Sequence, residues 1–119
     1  VSLENGDILD YGDIQLKVID QEGHTKGAIA LLLESKSEKI LFIGDSFEIL
    51  TVTPDEEIKI VNGWMDGEDF NGKKYLETLK NIYDMDFQII CMGHGSPYYG
   101  DSKDILHRVY KMAKEKLRL

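Results

Sequence analysis

Cysteine is nearly absent from this sequence, and that scarcity excludes a class of folds. Cys91 is the only cysteine in 119 residues, so no intrachain disulfide can form and nothing points to an oxidising compartment. Long hydrophobic runs are missing too. The longest, Ala28–Leu33, falls far short of the ~20 apolar residues that span a bilayer, so no membrane association is expected. Excess positive charge is also lacking. Lysine and arginine total 14 against 22 acids, a net charge of −8, which argues against the clustered positive surface that nucleic-acid binding requires. No basic stretch followed by an apolar one stands at the start, and with the lone cysteine this makes a cytoplasmic protein the expectation. There is no repeat and no linker rich in proline, glycine or serine, so residues 1–119 are expected to form a single domain.

What is present is the mix of a soluble globular chain, 42% hydrophobic and 30% charged. The charge is uneven: residues 103–119 carry +4 and the other 102 carry −12. The positive end reads as the solvated face of a terminal helix, favoured by cations near a helix C-terminus.

Turn signals at Asn5-Gly6 and Tyr11-Gly12-Asp13 bracket a short strand at Asp7–Leu9. Ile14–Ile19 alternates apolar and polar residues, as a half-buried strand does. Ala28–Glu34 and Lys39–Ile43, joined by the polar Ser35–Glu38, read as a hairpin of buried strands. Phe47–Asn71 has the least regular pattern and reads as a long loop, with a single helical turn starting at Thr53-Pro54-Asp55-Glu56. Trp64, Met65 and Phe70 are the side chains in it suited to meeting a substrate, or equally to folding the loop back onto the core. Gly72–Tyr83 carries an apolar stripe of Tyr75, Leu76, Leu79, Ile82 and Tyr83 at helical spacing. Phe87–Met92 reads as a strand, and Ser102–Leu119 as a helix capped by Asp101 or Ser102. His107 falls on that helix's polar face, which makes it a solvent-exposed residue rather than a ligand.

Three motifs sit where strands end: Gly23-His24-Thr25-Lys26-Gly27, Gly44-Asp45-Ser46 and Gly93-His94-Gly95-Ser96-Pro97. Each places one potential ligand on a glycine-flanked turn, where the backbone can bend tightly. Two imidazoles and a carboxylate suit zinc, manganese or iron. Singly each motif is an ordinary turn; the signal is their joint order.

That order of strand, Gly-His-Thr-x-Gly, hairpin, Gly-Asp-Ser, helix, strand and Gly-His-Gly resembles the C-terminal half of the metallo-β-lactamase superfamily, across nearly the whole chain. The resemblance implies an α/β fold of the α+β sandwich type. Specifically, it implies one half of an αββα sandwich, a mixed sheet with two helices on one face. It also implies two divalent metal ions in a parent protein, zinc foremost and manganese or iron otherwise. His24 and His94 would be terminal ligands on different metals, and Asp45 the carboxylate bridging both, at the catalytic centre. The activity implied is hydrolysis of an ester, thioester, lactone, lactam or phosphodiester in a small molecule by a metal-bound hydroxide. Lys26, where many relatives have proline, reads as a solvated turn residue.

One departure outweighs these matches. The superfamily's His-x-His-x-Asp-His motif is absent, since the chain's three histidines stand at 24, 94 and 107. Each metal would keep two protein ligands, whereas catalytic zinc usually has three. The chain alone is therefore expected to bind metal weakly and to be inactive. Its open sheet face should be covered by the missing N-terminal half or by a second copy. Two alternatives stand beside this reading: a non-catalytic interaction module that keeps the motifs as turns, and a di-iron redox relative.

Overall fold

A computed structural model describes the chain except residues 1, 2, 24, 25, 52–57, 63–69, 94, 95, 101 and 119, and the side chains of residues 51, 58, 62 and 102. The N-terminal part is a meander. β1 (Ile8–Asp10) pairs antiparallel with β2 (Gln15–Asp20), β2 with β3 (Ile29–Glu34), and β3 with β4 (Lys39–Gly44). β4 then pairs parallel with β7 (Ile89–Met92), which pairs antiparallel with β8 (Tyr98–Tyr99). The result is a six-stranded mixed sheet in the order β1-β2-β3-β4-β7-β8.

Between β4 and β7 the chain makes a second, two-stranded sheet of β5 (Phe47–Thr51) and β6 (Ile58–Asn62), and then α1 (Gly72–Leu79). α2 (Ser102–Leu117) closes the chain. The long loop read from the sequence over Phe47–Asn71 is thus corrected over its first part, where β5 and β6 stand. Phe47 and Ile49 alternate with Glu48 along β5, and Ile49 faces Ile60 across the pair. All three of these apolar residues are buried; the two-residue period decided the structure there, and the glycines that follow hid it. The helical turn expected at Thr53–Glu56 lies outside the described residues, as do Trp64, Met65 and the α2 cap assigned to Asp101 or Ser102.

The alternation of the strands sorts the sheet into two faces. Ala30 and Leu32 of β3, Leu41 and Ile43 of β4 and Ile90 of β7 are buried. They form one core with Leu76 and Leu79 of α1 and with Ile105, Leu106, Val109 and Ala113 of α2, so both helices serve that face. The register puts Leu31 opposite Phe42, Leu33 opposite Ile40, Ile40 beside Ile89 and Phe42 beside Cys91. These six residues therefore share the other face. None of them is fully buried, and Phe42 is 38% exposed. Cys91 is half-buried there, and desolvation raises its thiol pKa above the ordinary value.

α1 is shorter than the stripe Gly72–Tyr83 implies. Asn71 caps it, its side chain accepting from the Lys74 amide at 3.0 Å. Past Lys80 the amides of Asn81, Ile82 and Tyr83 reach back three residues instead of four, so the helix tightens into turns while Ile82 stays buried. His107 lies on the exposed side of α2 as expected. Its ring stacks on Tyr83 with centroids 3.9 Å apart, and its Nε2 stands 3.6 Å from Asp84. Among the described residues no helix is long and apolar enough to cross a membrane.

Candidate functional site

The two parallel strands β4 and β7 end side by side, and their carboxyl ends bring the Gly-Asp-Ser motif and Gly93 to one place. Gly44 turns the chain with φ of +58°, a left-handed conformation that glycine enters without strain. Its carbonyl accepts from the Gly93 amide at 2.7 Å, which ties the Gly-Asp-Ser turn to the start of Gly-His-Gly. The exposed Asp45 then leans against Gly93. A Cβ at that glycine would stand 2.1 Å from Asp45 Oδ1 and 3.1 Å from Cγ. Gly93 is therefore required because the Asp45 carboxylate occupies the space of a side chain, directly beside the residue that precedes His94. β8 returns along β7, with Tyr98 opposite Ile90, so the chain comes back to the same strand just after Gly93.

The first motif reaches this region through α1. Gly23 is buried, with φ of +134°, and a Cβ there would lie 2.2 Å from the Tyr75 Cα. The Gly23 carbonyl accepts from the Asn71 amide at 2.7 Å. One residue back, the Glu22 carbonyl accepts from the Thr78 hydroxyl at 2.6 Å. The buried Gln21 side-chain amide donates to the Thr78 carbonyl at 2.8 Å, and the Asn81 side-chain amide donates to the Asp20 carbonyl at 3.0 Å. Lys74 stands 3.8 Å from Asp20, a part-exposed pair that contributes little. Residues 20–23, which run into His24, are thus docked along the inner side of α1.

The same helix holds the second motif. The buried Tyr75 hydroxyl donates to the Ser46 carbonyl at 2.5 Å. Ser46 is 3% exposed, and its own hydroxyl has no hydrogen-bond partner among the described residues. This buried hydroxyl directly follows Asp45, and a buried polar group without a partner is uncommon enough to mark the place. Of the two readings the sequence left open for Phe70, a substrate-facing side chain or one folded back onto the core, the second holds. The Phe70 ring centroid lies 5.5 Å from that of Tyr75.

Of the predicted ligands, Asp45 is placed at the sheet end, while His24 and His94 lie outside the described residues. Their flanking residues Gly23 and Gly93 are held to α1 and to Asp45 respectively. Lys26 is exposed, in keeping with a solvated role. Among the described residues no group of three or more His, Cys, Asp and Glu could hold a metal. The donor types of the three motif residues nonetheless fit a divalent cation, and the space left at Gly93 is filled by the bridging candidate itself. Sequence reasoning missed Tyr75, Thr78 and Gln21. Tyr75 was visible only as a member of an apolar stripe, and each of the three has a hydrogen-bond partner far away in sequence.

Comparison with solved structures identifies the fold. The chain superimposes on a metallo-β-lactamase family protein of Thermus thermophilus with a TM-score of 0.64 and 21% identity. The overlap covers 98% of this chain and 36% of that one. It superimposes on ETHE1 of Myxococcus xanthus with a TM-score of 0.60 and 19% identity, over all of this chain and 53% of the other. The class B3 di-zinc metallo-β-lactamase LRA-12 from an Alaskan soil metagenome gives 0.55 and 21%, over 98% and 47%. The architecture is therefore that of the metallo-β-lactamase fold, and the chain spans roughly a third to a half of these structures. In sequence, 43 residues are 46% identical to the acyl-coenzyme A thioesterase MBLAC2 of Homo sapiens and of Bos taurus. That stretch is 36% of this chain and 15% of the thioesterase. No protein-family model matches the chain.

Proposed function

We propose that this chain is the C-terminal portion of a metal-dependent hydrolase of the metallo-β-lactamase superfamily, with Asp45 at its catalytic centre. The observation that carries the reading is the Asp45 carboxylate seated in the space of the missing Gly93 side chain. That contact brings the bridging candidate to the residue preceding His94, at the end of a parallel strand pair. His24, Asp45 and His94 would hold the metals, with Asp45 shared between them. When bound, divalent cations such as zinc lower the pKa of water and stabilise a developing oxyanion; manganese and iron suit the same donors.

The chain's own residues do the positioning. The Gly44–Gly93 hydrogen bond fixes Asp45 relative to the third motif, and α1 holds residues 20–23 in front of His24. The half-buried face around Phe42 awaits a cover. That cover is the remaining half of the parent fold, which would also bring the missing ligands, or failing that a second copy. The substrate would be a small molecule. The partial match to an acyl-coenzyme A thioesterase makes a thioester the first to test. With two protein ligands per metal, the isolated chain is expected to turn over nothing at a useful rate.

The test is metal content per chain, by elemental analysis after zinc loading and dialysis, on both the intact parent and the 119-residue chain. The parent should hold one to two equivalents, with much of this lost in His24→Ala and Asp45→Ala. The chain alone should hold less than about a tenth of an equivalent, because preformed ligand number sets affinity. A parent that binds no zinc, or binds it equally in both variants, would sink the proposal in favour of a non-catalytic interaction module. Iron retained with redox activity but no hydrolysis would instead identify a di-iron relative.

A further inference from the structure

We infer that Tyr75 is the positioning residue that sets the separation between Gly23, which precedes His24, and Ser46, which follows Asp45; this rests on the proposed metal site. Tyr75 is fully buried and meets both residues at once. Its backbone lies so close to Gly23 that no side chain fits between them, with the Tyr75 Cα and N at 2.2 and 2.4 Å from where a Cβ would be. Its hydroxyl, at the far end of a rigid ring, donates to the Ser46 carbonyl at 2.5 Å. The Tyr75 amide donates to the Asn71 carbonyl at 2.8 Å, and the Asn71 amide donates to Gly23. The residue before His24 and the residue after Asp45 are thus braced against opposite ends of one side chain.

The brace is stiff for a physical reason. A tyrosine ring has two rotatable bonds and, once packed, no freedom to shorten, so the span from its Cα to its oxygen is fixed. Phe70 packs on the ring at 5.5 Å. The next residue on the same inner side, Thr78, holds Glu22 at 2.6 Å, so the docked segment cannot slide along the helix. Groups that orient metal ligands without touching the metal govern affinity through geometry. The Ser46 carbonyl is such a point, because the backbone that carries it also carries Asp45. Phenylalanine at position 75 would fill nearly the same space in the core; only tyrosine reaches Ser46 with a donor.

The experiment uses Tyr75→Phe in the intact parent protein, with Leu79→Ala as a second variant. Leu79 is a buried residue of the same helix whose aliphatic side chain can donate or accept no hydrogen bond. Zinc affinity is measured by chelator competition, the visible absorption of the cobalt-substituted protein reports ligand geometry, and apo-protein melting reports fold stability. Tyr75→Phe should weaken zinc binding about tenfold, the range seen when outer-shell groups are removed. It should also change the cobalt spectrum. Leu79→Ala should lower the melting temperature at least as much while leaving both metal readouts as in the parent. Tyr75→Phe that melts lower but binds zinc normally, with an unaltered spectrum, would overturn the inference, since Tyr75 would then serve packing alone. Equal metal losses in the two variants would overturn it as well. If wild-type binding is indifferent to His24→Ala and Asp45→Ala, the metal site itself fails, and Tyr75 has nothing to position.

Discussion

At the scale of single residues the glycines of the three motifs carry more information than the ligand candidates. Glycine before a ligand was legible in the sequence as a tight-turn residue, and at Gly44 that is the reason, with φ of +58°. At Gly93 and Gly23 the reason is different and was not legible, because it lies in partners far along the chain. A side chain at Gly93 would collide with Asp45, and one at Gly23 would collide with the backbone of Tyr75. Gly23 also holds φ of +134°, so alanine there suffers both a backbone clash and a strained conformation. Gly23→Ala should destabilise the fold by about 2–4 kcal/mol, the sum of overpacking and backbone strain, as read by urea denaturation. Gly93→Ala displaces a carboxylate at the surface rather than a backbone. It should cost the fold under about 2 kcal/mol yet abolish most metal binding in the parent. An alanine at 93 that leaves metal stoichiometry intact would remove Asp45 from the proposed site. The Gln21–Thr78 pairing belongs to the same lesson. A buried glutamine amide finds its acceptor 57 positions away, and no local pattern announces that.

At the scale of elements, strong periodicity was readable and weak periodicity was not. The meander β1–β4, the β7 strand and both helices follow from apolar spacing and turn residues, with ends shifted by a few residues. The exceptions have causes. β5 and β6 are five residues each and lie among glycines, a proline and acids that signal loop. β8 is two residues long and exists only because β7 offers an edge. α1 was read too long because the apolar stripe continues through Ile82, where the backbone has already tightened and only the side chain keeps the helical face. Its start, in contrast, rests on one identifiable interaction, the Asn71 cap on the Lys74 amide. Asn71→Ala should cost about 1 kcal/mol of stability, seen as a lower denaturation midpoint with an unchanged slope. A larger loss, or a changed slope, would mean that the Asn71 backbone bond to Gly23 had gone with the cap.

At the scale of the whole molecule the two faces of the large sheet are not equivalent, and the inequality predicts behaviour. One face is sealed by α1 and α2. The other presents Leu31, Leu33, Ile40, Phe42, Ile89 and Cys91 in register across three strands, with Phe42 38% exposed. Contiguous apolar surface of this kind is uncommon on a soluble monomer, and the solved structures of the same fold are two to three times as long as this chain. The overall α+β architecture was legible because the motif order implies it, and the open face follows from half a sandwich. What the sequence could not give is which residues lie at its centre, since that depends on register. Phe42 is central, flanked by Leu31 on one side and Cys91 on the other. The 119-residue chain taken alone should therefore associate with itself through this face, with an average mass in sedimentation equilibrium that rises with concentration. Phe42→Ser should weaken that association about tenfold or more, because burying a phenylalanine contributes roughly 1.5–3 kcal/mol. Exposed substitutions on the opposite side, such as Lys111→Ser on α2, should leave it unchanged. In the intact parent, where the proposal has this face already covered, Phe42→Ser should act instead on folding stability and not on mass. A chain that stays monomeric at all concentrations, and whose Cys91 reacts with a bulky thiol reagent as fast as a free cysteine, would show that this apolar face needs no partner.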